Sequence, residues 1–300
     1  MTLLVAGTVG RDIWMVADTA ITGGGADLRG RIYRIKIVPS HDGRALISYA
    51  GDEYYGGRLV EAAARMPAGA PAAEFLVESQ HQHPSVDFAY TYIDESGPHL
   101  IRVHEGAADE VPSLFLGLLD AFEHPQRIRH DADIDPTLEA IRTFVCGSRS
   151  VEPVPDQLSK AVTSMLRLFA ERSERDVGGW PVPYFVTAEG TFFCGYGYAV
   201  SDPILKRIGP GALVPHGTAK AGGFGLSVTE FGRGNGMVVY WLQLPGGTVF
   251  MRRENGYDAC EFRGAPSEFK QQALEARETG GAFVWRSAYG ADTQYRGHAG

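Results

Sequence analysis

The chain has 300 residues, 44% hydrophobic and 21% charged, with a formal net charge of −8; that length allows one large domain or two modest ones. The acidic balance leaves no basic excess to meet phosphates, which excludes a generic nucleic-acid binder, and the scattered 38 glycines and 17 prolines exclude collagen-like and low-complexity chains. No apolar run reaches the roughly 18 residues of a membrane helix, MTLLVAGTVG has no secretory-signal pattern, and three widely spaced cysteines (Cys146, Cys194, Cys260) suit a reducing cytoplasm rather than a disulfide framework or zinc site.

Strands are predicted over 2–8 and 13–18, joined by a turn at Gly10. A glycine-rich loop follows, then one strand over 31–38, where basic and apolar residues alternate. Asp42-Gly43 is a hairpin signal, and 44–50 runs back to Gly51. Helices fit 53–66 and 71–80, and strands 86–93 and 98–103 flank the turn at Asp94-Glu95-Ser96-Gly97. A short strand at 111–116 precedes helices near 119–128, 136–145 and 156–172, the last with Leu158, Val162, Met165, Leu166 and Phe169 on one stripe. Strands are expected at 181–187 and 191–198. Beyond residue 200, glycine-rich turns bracket apolar strands such as 237–244, and a helix near 266–278 and a polar tail close the chain. The fold class is α+β, with a core over 2–200 and a mostly β extension over 201–300.

Two hairpins gather a set of reactive groups. Turning about Gly10 sets Thr2 opposite Asp18, and turning near Gly43 sets Lys36 opposite Ala50 or Gly51. Aminopeptidases trim an initiator methionine before a residue as small as threonine, so Thr2 is expected to carry a free α-amine. A threonine hydroxyl is a poor nucleophile alone, and an adjacent amine, with a pKa of roughly 7.7–8.0, can serve as its base. A nearby lysine would keep that amine neutral, and a glycine N–H could receive the oxyanion of an attacked amide.

The segments TLLVAGTVGRDIWMVADTAIT and RIKIVPSHDGRALISYAGD resemble the opening of proteasome β subunits and their bacterial relatives. That family has an N-terminal threonine, an aspartate sixteen positions on, a lysine at the third strand and a small-Gly segment before the first helix; here these fall on Thr2, Asp18, Lys36 and Gly51. IDESGPHLIRVHEG at 93–106 resembles its Gly-Pro hairpin, and ERDVGG at 174–179 its acid-x-x-Ser-Gly-Gly segment, with Glu174 as the acid. The resemblance spans about 2–187. It implies the four-layer αββα sandwich of N-terminal nucleophile hydrolases, with amide hydrolysis through an acyl-enzyme on Thr2 and no metal or organic cofactor. It further implies peptide bound along Thr22, a pocket lined by Ile21 and Tyr49, a homo-oligomeric ring, and an unfoldase as a partner that could feed it.

The chain departs from the family pattern in places. The family's helper serines fall on Leu118 and Val177, and Arg31 and Arg34 compete with Lys36 for the lysine position. Two alternatives stay open: a small-molecule amidohydrolase, and a catalytically silent scaffold subunit that keeps the fold. Taken singly, each residue has an ordinary explanation: Asp18 as a loop cap, Lys36 as a solvated strand position, Gly51 as a strand-to-helix turn. Their register carries the signal. His81 and His83 at a helix end lack acidic or cysteine partners at metal-ligand spacing, His99 and His104 lie in or beside a strand, and Cys146 has no evident histidine partner.

Overall fold

The computed structural model describes residues 2–21, 32–33, 35–117, 119, 123, 141–145, 156–171, 177, 180–200, 224–231, 236–241, 247–253 and 256–262. In chain order the first half holds β1 (Leu3–Val9), β2 (Asp12–Ala17), β3 (Ala20–Ile21), β4 (Ile32–Tyr33), β5 (Ile37–Pro39), β6 (Ala45–Gly51), α1 (Glu53–Ala64), α2 (Ala70–Gln82), β7 (Val86–Asp94), β8 (Gly97–His104), β9 (Ala107–Glu110) and β10 (Ser113–Gly117). The second half holds β11 (Ile141–Val145), α3 (Asp156–Glu171), β12 (Val182–Thr187), β13 (Gly190–Phe193), β14 (Tyr196–Val200), β15 (Phe224–Phe231), β16 (Gly236–Trp241), β17 (Gly247–Arg253) and β18 (Gly256–Phe262).

The architecture is α+β, with antiparallel sheets and a few helices. The first sheet runs β10-β1-β2-β12-β13 and the second β5-β6-β7-β8-β9. They lie against each other: β1 and β2 meet β8, β10 meets β6 and β7, and β12 meets β7. Helices α1 and α2 lie on strands of the second sheet, and α3 lies against β2 of the first. This layering explains a feature of the sequence. Strands covered on both faces need no polar alternation, and Leu3–Ala6, Ile13–Ala17, Ala45–Ala50 and Val182–Thr187 are buried along their whole runs. The core therefore sits between the sheets and under the helices. Asp52 starts α1 by accepting the Tyr55 N–H at 3.2 Å, a side-chain cap that satisfies one orphan donor of the first turn.

A third sheet runs β11-β14-β15-β16-β17-β18. It joins strands from both sides of residue 200, because β14 pairs with β15 from Tyr196↔Val228 to Val200↔Phe224.

Several predicted elements are corrected. The helix expected at 136–145 contains the strand β11, since Ile141-Arg142-Thr143-Phe144-Val145 is β-branched and aromatic and pairs with β14. The strand expected over 31–38 is two pieces: β4 pairs with β3, β5 pairs with β6, and Lys36 lies between them. The strand expected over 191–198 breaks at Cys194, whose N–H donates to Pro183 O at 2.9 Å; β13 stays in the first sheet and β14 enters the third. The hydrophilic edge strand β9 has no apolar pattern to announce it and was not predicted. Most of the helix near 119–128, the helix near 266–278 and the polar tail lie outside the described residues.

Candidate active site

The site is built at the open end of the β1–β2 hairpin. The register pairs Leu4 with Ala17 and Val9 with Asp12. Continued one step, it sets Leu3, not Thr2, level with Asp18. This corrects the predicted pairing by one residue, because the turn spans Gly10 and Arg11 rather than centring on Gly10 alone. The Asp18 N–H donates to Leu3 O at 3.0 Å, and the Leu3 N–H donates back to Asp18 Oδ1 at 2.9 Å. Asp18 therefore grips the peptide unit joining Thr2 to Leu3.

Lys36 enters from the short segment before β5. Its Nζ donates to Asp18 Oδ1 at 2.6 Å, and the side chains are 1% and 0% exposed. Burial lowers the Lys36 ammonium from its ordinary value of 10.5, against the opposing pull of Asp18 and Glu53. A dry, charge-assisted bond of this length fixes both groups in place. The second hairpin pairs Ile37 with Ser48. One more step sets Lys36 level with Tyr49, not with Ala50 or Gly51 as predicted, because β5 pairs one residue earlier along β6.

Thr2 itself is 3% exposed. Its carbonyl lies against Gly117, the last residue of β10, which pairs with Leu3. Gly117 has φ 108°, and a Cβ there would overlap the Thr2 carbonyl oxygen, so only glycine fits this approach. Thr19, buried beside Asp18, accepts the Trp180 N–H at 2.8 Å. That bond brings Trp180 to the same end of the hairpin, and Val177 is buried. Gly51 ends β6 with φ 105°, level with Val86, and is exposed. The strand it ends, β6, lies against β10.

Thus Thr2, Asp18 and Lys36 come together; Gly51 stands at the end of β6, two residues beyond Tyr49. Tyr49 is buried with its ring against Gly56 of α1, so the helix covers it. Ile21 lies in β3, level with Ile32. Thr22, Glu174, Arg31, Arg34, Leu118 and Cys146 lie outside the described residues. Sequence reasoning missed Gly117 and the backbone amide of Leu3. A glycine in the apolar run SLFLG was a signal for the first; an amide of an unremarkable leucine left none.

The other singled-out residues have structural partners. His83 stacks on Tyr55 at 4.2 Å between ring centroids, and His81 lies against Gly106. His99 Nε2 bonds Asp94 Oδ1 at 3.0 Å and its Nδ1 bonds Glu110 Oε1 at 3.2 Å. His104 Nδ1 bonds Asp87 Oδ1 at 2.8 Å. Among the described residues no group of three or more His, Cys, Asp or Glu could hold a metal ion, and no helix is long and apolar enough to cross a membrane.

Chemically, the arrangement is a threonine whose following peptide N–H is held by a carboxylate, with a dehydrated ammonium on the same carboxylate oxygen. A scan against protein-family models returns no match, and a search of curated proteins returns none either.

Proposed function

We propose that this chain is an N-terminal threonine hydrolase of the proteasome-like N-terminal nucleophile type, acting on amide bonds of peptides. One observation carries the reading: a buried chain of bonds runs from Lys36 Nζ through Asp18 Oδ1 to the Leu3 N–H, one residue from Thr2. Two sheets lying against each other, with α1 and α2 on one and α3 against the other, support the four-layer αββα sandwich that this type of enzyme requires.

The chemistry begins when the peptide bond before Thr2 is cut and its amine is freed. Thr2 Oγ then adds to the amide carbonyl, and its proton passes to the α-amine. Lys36⁺ close to that amine disfavours a second positive charge and so keeps it available as a base. The Gly51 N–H is the assigned oxyanion donor. The C–N bond breaks as the α-ammonium returns the proton to the leaving amine. Water then hydrolyses the ester on Thr2 and restores the hydroxyl. Assembly into a ring of identical subunits, with an unfoldase feeding it, belongs to the same proposal.

A second reading is a silent scaffold subunit. It is favoured by the near-complete burial of Thr2 and by the apolar Val177 at a helper position. Intact mass after incubation with a leucine-rich tripeptide epoxyketone separates the two, because that warhead needs a hydroxyl and a free α-amine on one residue. The hydrolase gives a mass lacking Met1 and carrying one adduct, which Thr2→Ala abolishes. A mass that keeps Met1 and takes no adduct supports the scaffold.

A further inference from the structure

The third sheet has no part in the chemistry above, yet it reaches α1 through a specific contact. Glu61 on α1 is 2% exposed. The Arg252 guanidinium from β17 meets it with a two-pronged bond: Nε donates to Oε1 at 2.9 Å and to Oε2 at 3.2 Å, and Nη2 to Oε2 at 3.0 Å. The Arg252 side chain is 13% exposed, and β18 also lies against α1. A buried carboxylate is retained only with a partner of this kind.

Its place on the helix gives the contact direction. Successive helical residues turn by about 100°, so Glu61 sits about 140° around α1 from Gly56, the residue seated on the Tyr49 ring. Gly56, Val60, Ala63 and Ala64 bury one side of the helix, and Glu61 extends that buried arc around its flank. Tyr49 therefore holds α1 from below and Arg252 holds it from the side. The head of α1 is Asp52, which follows Gly51 directly. Through α1 the Arg252 contact is linked to the strand end that carries the Gly51 amide.

We infer that the third sheet is an intramolecular regulator of the Thr2 site: with Arg252 docked on Glu61, α1 is fixed and the Gly51 amide stands where the oxyanion forms, and undocking slackens it. This rests on the hydrolase reading. Arg252 is accordingly a positioning residue, acting on the reaction through α1 and not by touching substrate.

Two readouts on the full chain test it. Hydrogen exchange of the α1 amides reports docking, and saturation kinetics of the tripeptide epoxyketone report the site. Arg252→Ala should speed α1 exchange about tenfold or more. It should also lower the maximal inactivation rate about tenfold with the half-saturating concentration unchanged, the pattern of a misplaced group rather than a lost binding contact. Arg252→Lys, which keeps the charge but not the two-pronged geometry, should fall between; it is the working variant if Arg252→Ala does not fold. Unchanged α1 exchange in both variants overturns the docking. Faster exchange with an unchanged inactivation rate overturns the regulation. No adduct on the parent protein refutes the Thr2 reading and the regulation with it, while exchange still decides the docking.

Discussion

Replacing Lys36 by methionine tests the centre of the site. The Lys36–Asp18 bond is 2.6 Å long, and neither side chain reaches water. Methionine keeps the length and apolar body of lysine and deletes the charge. It leaves Asp18 as a buried carboxylate with its Leu3 N–H bond but without its cation. Breaking one side of a buried pair costs about 3–5 kcal/mol. With urea slopes up to about 3 kcal/mol per M, the unfolding midpoint should fall by at least about 1 M. The companion variant adds Asp18→Asn to Lys36→Met. Its amide oxygen can still accept the Leu3 N–H, and no charge remains, so more than half of the loss should return. Asp18→Leu with Lys36→Met should recover less, because the Leu3 N–H is then orphaned at about 1–3 kcal/mol. A second pH adds an independent arm. Burial holds the folded value of Lys36 below its unfolded 10.5. The folded chain therefore sheds this proton first, and stability tied to Lys36 rises with pH between the two values. The parent should gain on Lys36→Met as pH climbs toward 10.5. A single variant losing under about 1 kcal/mol at neutral pH, or a charge-free double variant no better than Lys36→Met, would refute the picture of a dehydrated pair holding the Thr2–Leu3 peptide.

Gly117→Ala should cost more than about 2 kcal/mol, since it adds backbone strain to a steric overlap with the Thr2 carbonyl. It should also abolish the epoxyketone adduct; a near-parental melting temperature with normal adduct formation would contradict the geometry. At the other end of the second sheet, burial pulls the His99 imidazolium down, but its hydrogen bonds with Asp94 and Glu110 outweigh that and carry it above 6.5. Stability from this group is complete below 6.5 and is lost as pH rises through the higher folded value. His99→Gln should flatten the melting temperature across that window, and an NMR titration of the ring at or below 6.5 would count against the bridge.

Much of the first two sheets was legible because the local signals agreed. LLVA, ALISYA and VPYFVT are runs that suit a doubly covered strand, and Asp42-Gly43 marks the turn before the second of them. The failures share a cause: tertiary pairing overrode local pattern. Arg31 to Val38 alternates like one strand, but β4 and β5 pair with different strands and Lys36 lies between them. Ile141–Val145 follows helix-forming residues and yet is claimed by β14. The pairings around Thr2 erred by one residue because hairpin arithmetic assumes a turn centre, and a shift of one residue in that centre slides every partner. Gly117 was out of reach for a different reason. Its requirement comes from a carbonyl more than a hundred positions away, and nothing beside it in the chain expresses that.

The one-residue shift changes what Asp18 does. Opposite Thr2, a carboxylate would compete for the threonine hydroxyl and draw its proton to a group too weak to deprotonate it. Opposite Leu3, it holds the amide that follows Thr2 and binds Lys36 through the same oxygen. In the proposed mechanism the hydroxyl is then left to the α-amine, whose basicity suits neutral pH. The carboxylate becomes the hinge of the arrangement, fixing backbone with one hydrogen bond and charge with the other. This division also gives Thr2→Ala and Lys36→Met different signatures. The first removes the proposed nucleophile, leaves the buried pair intact and should unfold like the parent. The second keeps the Thr2 hydroxyl but loosens the peptide that follows it, so adduct formation and stability should fall together. If Lys36→Met lost adduct formation while keeping parental stability, Lys36 would be acting on the proton directly, and the clamp on Leu3 would not be what positions Thr2.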